Sequence, residues 1–369
     1  MADKKESGSA VTEHAAEEGA TADSTEQAGA TRVDAVDPTD GVVEVDEGAI
    51  GGEEENTSTG DADAGAAEKA GTVGGLLSGL VREARPKQWV KNVLVVAVPF
   101  LARAIGDPNV LLDTLLAFVV FCMAASGVYF VNDAKDVESD RAHPTKRYRP
   151  IAAGLVPLPI AYGVAAALLA GAVVISFAVS YPLAAVVVLY VAVQLGYCFG
   201  LKHQPVIDMC IVSSGFLLRV VAGGAAAELE ISQWFMLVTA FGSLFMVAGK
   251  RYAEIIYANN TGAKIRKSLE SYSASYLRFV WATSAAMVIM NYSMWAYTQR
   301  EFATIWSAIS IVPFVIAILR YAVDVDRGSA GEPEEVVLKD KIMLVLGALL
   351  AFCLFMLFYG DWLKSLVGL

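Results

Sequence analysis

The chain has 369 residues, of which 56% are hydrophobic, and a formal net charge of −11. This composition is too apolar for an ordinary soluble protein and is typical of a membrane protein. We expect no nucleic acid among its partners. The charge is unevenly distributed, because residues 1–75 hold 19 acidic and 4 basic side chains, a net −15, which leaves −11 − (−15), or +4, for residues 76–369.

The first part of the chain, residues 1–75, is acidic, rich in Ala, Gly, Ser and Thr, and contains no aromatic residue. Such a segment cannot bury enough apolar surface to offset its conformational entropy, so we expect a disordered cytoplasmic tail. It lacks a basic region followed by an apolar one, so we expect no signal peptide. The sequence therefore predicts two parts, a disordered tail (1–75) and a transmembrane domain (76–369).

The second part contains long apolar stretches, and a membrane-spanning helix needs about 20 mainly apolar residues. We expect helices there because lipid offers backbone N–H and C=O groups no other partner. This predicts an all-α membrane bundle of about nine spans, at 89–105, 110–131, 157–180, 182–200, 205–227, 232–249, 276–298, 302–322 and 341–363.

The basic residues between the predicted spans indicate the orientation in the membrane. With the tail in the cytoplasm, the inner segments hold 19 Lys and Arg residues and the outer connections hold three. Because cytoplasmic segments carry an excess of Lys and Arg, we expect a multi-pass protein of the cell membrane with its N-terminus inside and its C-terminus outside. The main charged stretches then lie at the cytoplasmic end of the bundle.

Three aspartates, Asp133, Asp136 and Asp140, follow the second predicted span with the spacing i, i+3, i+7. On a continuing helix this spacing places them on one face. Like charges at a helix C-terminus repel each other and oppose the macrodipole, so we expect a cation among them. Mg²⁺ is usually held by one or two carboxylates together with substrate phosphates. The pattern therefore indicates a diphosphate bridged to Mg²⁺ at these three aspartates.

A basic cluster follows the aspartates directly. Its members are Arg141, Lys146, Arg147 and Arg149. An ordinary cytoplasmic loop would explain these basic residues, but not three aspartates in register. Since Lys and Arg contact phosphate oxygens, and Arg does so through two nitrogens at once, we expect the cluster to bind substrate phosphates.

The stretch NDAKDVESDRAHPTKRYRPIAAG, residues 132–154, resembles the first aspartate-rich motif of the UbiA superfamily of intramembrane prenyltransferases, N-D-x-x-D-x-x-x-D followed by R-P-[IL]. Asn132, Asp133, Asp136 and Asp140 match it position for position. The resemblance covers the membrane part but not the tail. It implies a UbiA-like catalytic domain over residues 76–369, in which the motif binds Mg²⁺-diphosphate at the cytoplasmic mouth of a cavity.

The second family motif, D-x-x-x-D after the sixth span, is altered. The corresponding stretch reads VAGKRYAEI, with Lys250, Arg251 and Glu254. A sugar donor that carries a terminal phosphate in addition to its diphosphate would bind that phosphate through these added basic residues. Together with RPKQWVKN (85–92), this stretch resembles the decaprenyl-phosphate phosphoribosyltransferase branch of the family. That branch transfers the 5-phosphoribosyl group of 5-phosphoribosyl 1-diphosphate to a polyprenyl phosphate, in the synthesis of the cell-wall arabinan precursor.

The resemblance implies roles for individual residues. Asp133, Asp136 and Asp140, assisted by Asn132, would hold Mg²⁺ and the diphosphate while the lipid phosphate attacks the sugar C1 with inversion. A phosphate monoester is already anionic, so no strong general base is required. Further substrate contacts are expected from Lys250, Arg251 and Glu254, and from Tyr197 and Lys202, whose positions carry similar residues in relatives.

Four polar positions are open to two interpretations. Lys87 and Lys91 flank Trp89 and either anchor the segment at headgroup depth or contact the lipid phosphate or sugar donor. Asp208 and Arg219 lie within the fifth predicted span, where an unpaired charge is costly. We expect Asp208 to be paired or functional, and Arg219 either to pair with a neighbouring helix or to be functional.

Two rival functions remain open. A UbiA-type prenyltransferase would move a prenyl chain from its diphosphate to an aromatic or haem acceptor, which does not require the Lys250–Arg251 pair. A transporter would line its core with charges, whereas here the charges gather at one end. The sequence does not indicate the prenyl chain length or the oligomeric state, and a homo-oligomer is compatible with it.

Overall fold

The computed structural model describes residues 73–262, 269–298, 305–328, 336 and 338–367, and within these ranges all regular structure is helical. The predicted tail lies outside the described residues, apart from 73–75, which begin the first helix. The α-helices are α1 (Val73–Glu83), α2 (Leu94–Leu101), α3 (Pro108–Lys135), α4 (Val137–Arg141), α5 (Leu158–Val179), α6 (Tyr181–Cys198), α7 (Ile207–Ala226), α8 (Gln233–Thr261), α9 (Ala274–Thr298), α10 (Ile305–Asp326) and α11 (Lys341–Val367). Short 3₁₀ helices cover Pro86–Val93, Lys146–Tyr148 and Leu201–His203.

Local sequence signals set several helix ends. Asp107 caps α3 by accepting a hydrogen bond from Asn109 N at 2.8 Å, and Pro108 occupies the first helical position. Ser180 caps α6 in the same way through Leu183 N at 3.1 Å. Helix α8 ends at Gly262, whose φ of 73° favours a residue without a side chain.

Six helices are long and apolar enough to cross a bilayer, namely α3, α5, α6, α7, α10 and the first twenty residues of α11. Helices α8 and α9, of 29 and 25 residues, have the length but are more polar. The prediction of an all-helical membrane bundle is confirmed, and the count of nine spans is approximate. The protein is an integral membrane protein.

The first predicted span, 89–105, differs most from expectation. Its place is taken by an eight-residue 3₁₀ helix, Pro86–Val93, and the eight-residue α2, which contains Pro99. A 3₁₀ helix rises about 2.0 Å per residue against 1.5 Å in an α-helix, so the two segments together measure about 28 Å. Laid end to end, the two segments thus have nearly the length of a bilayer core, about 30 Å.

Helix α3 is the central helix of the bundle. Of its most apolar eighteen residues 67% are buried, against 17% for α5, whose surface is left for lipid. Helix α3 packs on α5, α6 and α7, while α8 packs mainly on α9 and α7. Polar side chains at the C-terminal end of α3 are therefore surrounded by other helices.

The contact between α7 and α2 depends on Gly223, where a Cβ atom would lie 1.9 Å from the carbonyl oxygen of Val95. We expect Gly223→Ala to destabilise the detergent-solubilised protein by about 1–3 kcal/mol, because the clash is with backbone that cannot move aside easily. Thermal unfolding measures the effect. Gly163→Ala, on α5 with no atom within 4 Å of the added Cβ, is the control. An equal loss in both variants would contradict the prediction.

Arg219, in α7, pairs with neighbouring helices. Its Nε donates to Asn92 Oδ1 at 2.7 Å, and its terminal nitrogens donate to Gly215 O at 2.5 Å and Tyr190 Oη at 3.3 Å. The guanidinium also lies 5.3 Å from the centre of the Tyr190 ring. The side chain is only 7% exposed, so this buried cation joins the first 3₁₀ helix, α6 and α7.

Candidate functional site

The three motif aspartates lie where α3 ends and α4 begins. Asp136 forms the junction between the two helices. Its N–H donates to Asn132 O at 3.0 Å, and its carbonyl oxygen accepts from Asp140 N at 2.9 Å. Asp133 and Asp140 are 1% and 3% exposed, whereas the Asp136 side chain is 27% exposed. The broken helix thus keeps two carboxylates inside the bundle and turns the middle one towards its surface.

Each of these carboxylates contacts a basic side chain. Arg149 Nη1 lies 2.8 Å from an Asp140 oxygen and 3.2 Å from an Asp133 oxygen, so one guanidinium joins both buried acids. Lys202 Nζ lies 2.6 Å from both oxygens of Asp136. These contacts offset the repulsion expected among the aspartates. They also bring Lys202 and Arg149, two predicted substrate ligands, to the same place.

A second guanidinium, that of Arg85, forms an ion pair with Asp133 and lies 4.7 Å from the centre of the Tyr129 ring. Arg85 has a φ of 51°, in the left-handed region that residues with a Cβ seldom adopt. Arg85 was not among the predicted site residues. No spacing rule could indicate it, because the contact joins residues 48 positions apart through a strained turn.

Glu83, the last residue of α1, is also part of this cluster and was not predicted. Its side chain is 1% exposed, and its carboxyl group lies against the Asp133 carboxyl and the backbone of Ile151. Burial, and next the neighbouring carboxyl group of Asp133, raise the pKa of Glu83 to about 8. Glu83 is therefore mostly protonated at neutral pH in the absence of a further cation.

The segment that carries Glu83 and Arg85 is fastened to α3. Trp89 Nε1 donates to Ser126 Oγ at 3.1 Å, and that hydroxyl donates to Ala84 O at 2.8 Å. On the motif itself, Asn132 Nδ2 donates to Asp133 Oδ1 at 3.0 Å and so orients that carboxylate. These hydrogen bonds hold the segment with Glu83 against α3 and orient the Asp133 carboxylate.

The basic loop between α4 and α5 presents its other cations around an open cavity of about 300 Å³. Arg141, His143 and Arg147 line it, and Arg141 Nε donates to Ala152 O at 3.1 Å, which fixes that side chain across the loop. Arg147 is exposed and stacks on Tyr148, while Lys146 is half-buried. This loop places positive charge next to the aspartates, and His143 N donates to Asp140 O at 3.1 Å.

The altered second motif forms a separate buried cluster. Arg251, 6% exposed, pairs with Asp208, 1% exposed, which also accepts from Tyr272 Oη at 2.5 Å. Tyr272 Oη also accepts a hydrogen bond from Val206 N at 2.6 Å, and Val206 has a φ of 70°. Burial, followed by the bond to Asp208, raises the pKa of Tyr272 to about 12. Asp208 is therefore paired, and Arg251 is held within the protein.

The remaining predicted ligands lie around this end with differing exposure. Lys250 and Glu254 are half-buried on α8, on either side of Arg251 in sequence. Lys87 is exposed on the first 3₁₀ helix and Lys91 is half-buried, while Tyr197 is half-buried in the last turn of α6. Among the predicted site residues, the structure brings Asp133, Asp140 and Arg149 into direct contact.

Comparisons with known proteins agree on a family. The model of the UbiA prenyltransferase family matches residues 93–339. Decaprenyl-phosphate phosphoribosyltransferase of Mycolicibacterium smegmatis is 56% identical over 290 residues, which cover 75% of this chain and 91% of that protein. The enzymes of the same name from Corynebacterium glutamicum and Mycobacterium tuberculosis are 56% and 54% identical, with 77% and 73% of this chain and 88% and 91% of theirs covered.

Solved structures match the fold at lower identity. A UbiA homolog from Archaeoglobus fulgidus bound to GPP and Mg²⁺ superposes with a TM-score of 0.56 at 16% identity and covers 75% of this chain and 96% of that one. A digeranylgeranylglyceryl phosphate synthase superposes with a TM-score of 0.54 at 18% identity and covers 77% and 98%. At this identity the matches establish a common helical architecture.

Proposed function

Because the chain belongs to the UbiA prenyltransferase family, we propose that it transfers the 5-phosphoribosyl group of 5-phosphoribosyl 1-diphosphate to decaprenyl phosphate and releases diphosphate. The observation that carries this proposal is the 54–56% identity to three decaprenyl-phosphate phosphoribosyltransferases over 88–91% of their lengths. The charged end of the bundle, where carboxylates and guanidinium groups meet, supplies the chemistry that a substrate with two phosphate sites needs.

The donor set at this end suits Mg²⁺, because it consists of carboxyl oxygens. Among the described residues no three acidic, His or Cys side chains already form a metal-binding group, since each motif aspartate holds a basic side chain. The Glu83 carboxyl, which is buried beside Asp133, adds a further oxygen group to this cluster. Asp133, Asp136 and Asp140 would hold the metal, which would neutralise charge on the diphosphate.

The basic residues then assist the leaving group. The bond between C1 and the diphosphate oxygen breaks, a bond between C1 and a phosphate oxygen of the lipid forms, and diphosphate departs with the bonding electrons. Arg149 and Lys202, which already contact the aspartates, are suited to bind the departing diphosphate oxygens. The lipid phosphate is already anionic and attacks C1 without a general base. Because it attacks from the side opposite the diphosphate, the configuration at C1 is inverted.

The proposed site faces the cytoplasm. Support comes from the excess of Lys and Arg in the segments at this end, 19 against three at the other. With the N-terminus inside, a water-soluble sugar donor would enter from the cytoplasm while the acceptor lipid stays in the bilayer. The C-terminus then lies outside.

The proposed reaction is tested with purified protein, labelled 5-phosphoribosyl 1-diphosphate, decaprenyl phosphate and Mg²⁺. We expect a labelled lipid and one equivalent of diphosphate, and no product when Mg²⁺ is removed by chelation. Turnover of a prenyl diphosphate with an aromatic acceptor, and no labelled lipid, would refute the proposal.

Lys250 is the candidate for the 5-phosphate of the donor. We expect Lys250→Ala to raise the KM for 5-phosphoribosyl 1-diphosphate about tenfold or more while the KM for the lipid changes little, because one charge-assisted contact contributes about 1.5–3 kcal/mol. Initial rates with each substrate varied in turn measure both constants. Lys339→Ala, at an exposed lysine before α11, is the control. Equal increases in both KM values would refute the assignment.

A further inference from the structure

The first helix, α1, is too short to cross a bilayer but exposes a row of aliphatic side chains. Val73, Leu77 and Val81, spaced i, i+4, i+8, are 76%, 58% and 62% exposed. This spacing places them on one face of the helix. The helix has eleven residues and is about 16 Å long, roughly half the thickness of a bilayer core. The aliphatic row is therefore apolar surface that lies outside the spanning helices.

Another side of α1 packs against the bundle. Leu76 and Leu80 pack against the buried core that α3, α5 and α6 form. Gly79, next to Leu80, packs so closely that a Cβ would lie 2.9 Å from the Val156 side chain. These contacts fix the rotation of the helix about its own axis, so the aliphatic row is held facing outward.

A third side of α1 is exposed and carries no aliphatic side chain. It consists of Gly74, Ser78 and Arg82, each of which follows a member of the aliphatic row in sequence. Because successive residues of an α-helix lie about 100° apart around its axis, the exposed surface divides lengthwise into an apolar part and a polar part. A helix divided in this way lies in a membrane interface, with its apolar face at the boundary of headgroups and acyl chains.

The charge and the surroundings of α1 favour lipid as the partner of the aliphatic row. Of the two charged residues of α1, Arg82 is exposed and Glu83 is buried, and Lys87 is exposed just beyond the helix. An exposed surface that is basic suits anionic headgroups. Val90 and Val93, in the 3₁₀ helix that follows, are 62% and 55% exposed, so the chain goes on exposing aliphatic side chains into the first predicted span.

From these observations we infer that α1 is an interfacial helix, whose aliphatic row is inserted into the bilayer leaflet at the charged end of the bundle. Its partner is an anionic phospholipid surface. The inference goes beyond the proposed reaction and does not depend on it. Since α1 ends at Glu83, whose carboxyl lies against Asp133, the depth of the helix in the leaflet also sets the depth of that aspartate.

The inference is tested with spin labels on the full-length protein in bilayers of phosphatidylglycerol and phosphatidylcholine. Cys210→Ser removes the exposed native thiol, and the other three cysteines are buried. A label is then attached to Leu77→Cys or, as the matched control, to Ser78→Cys. Electron paramagnetic resonance measures collisions of each label with oxygen, which concentrates in lipid, and with a water-soluble nickel complex. We expect the ratio of oxygen to nickel collisions to be at least about threefold higher at position 77 than at position 78.

Three results would overturn the inference. Equal ratios at the two positions would place the aliphatic row in water. A label at position 77 that is shielded from both reagents would place the row under another part of the protein, and dipolar broadening between labels at that position would place it against a second copy of the chain. If a label disturbs the helix, Val81→Cys and Arg82→Cys repeat the comparison one turn further along α1.

Discussion

Asp136→Asn is expected to lower kcat by about 100- to 1,000-fold while the protein stays folded. Asp136 is the most exposed of the three aspartates and contacts Lys202 at 2.6 Å. Its replacement therefore leaves no buried charge without a partner, but it removes a carboxylate from the proposed metal and diphosphate site. Phosphoribosyl transfer at saturating substrate gives kcat, and thermal unfolding reports the fold.

Asp133→Asn would be a poorer test, because it leaves two guanidinium groups, those of Arg85 and Arg149, without the carboxylate between them. Loss of activity in that variant would not separate chemistry from folding. Glu138→Gln, two residues beyond Asp136 and exposed, is the control for a lost negative charge. A kcat in Asp136→Asn above half that of the control would contradict the assignment.

The second large effect is on stability. Arg251→Met is expected to lower the free energy of unfolding by about 3–5 kcal/mol, because it leaves the Asp208 carboxylate buried without its counter-ion. Asp208 is 1% exposed, and its other bonds in the described structure come from Tyr272 Oη and Met209 N. Unfolding of the purified protein by denaturant or heat measures the loss.

A double-mutant cycle shows whether this loss belongs to the pair. Asp208→Asn combined with Arg251→Met should cost clearly less than the sum of the single changes, since no charge then remains buried. Arg278→Met is the control, because its pair with Asp326 is exposed, at 59% and 56%, and such pairs contribute about 0–1 kcal/mol. Equal losses in Arg251→Met and Arg278→Met would contradict the interpretation of a buried pair.

The arrangement around Arg251 bears on its predicted role in substrate binding. A guanidinium that is 6% exposed and paired with Asp208 is suited to hold α7 and α8 in place. Its assignment to the 5-phosphate stays a prediction. Lys250, half-buried next to it, is better placed for a ligand that enters from solvent.

Local sequence patterns were sufficient for much of the fold. Apolar stretches of about 20 residues predicted the long helices, because a lipid-exposed backbone must bond to itself. The spacing of Asp133, Asp136 and Asp140 predicted one helical face, but the helix is interrupted at Asp136, which leaves Asp133 and Asp140 buried and the Asp136 side chain 27% exposed. The aspartates contact the basic side chains of Arg85, Arg149 and Lys202, and the metal ion expected among them stays a prediction.

The parts that sequence reasoning missed depend on contacts between distant residues. Glu83 and Arg85 lie against Asp133 at a turn where Arg85 has a positive φ. The bond between Arg219 and Asn92 joins positions 127 residues apart. No periodicity in the sequence encodes such pairs. The 3₁₀ conformation of residues 86–93 could not be predicted either, since their composition resembles the start of an ordinary span.

The most direct test of the central claim is an experimental structure with 5-phosphoribosyl 1-diphosphate and Mn²⁺, in which anomalous scattering locates the metal. The account predicts an ion bonded to Asp133 and Asp136, with the diphosphate on it and with Arg149 and Lys202 turned towards phosphate oxygens. A metal bound elsewhere, or aspartates that keep all their present ion pairs while the donor is bound, would contradict it.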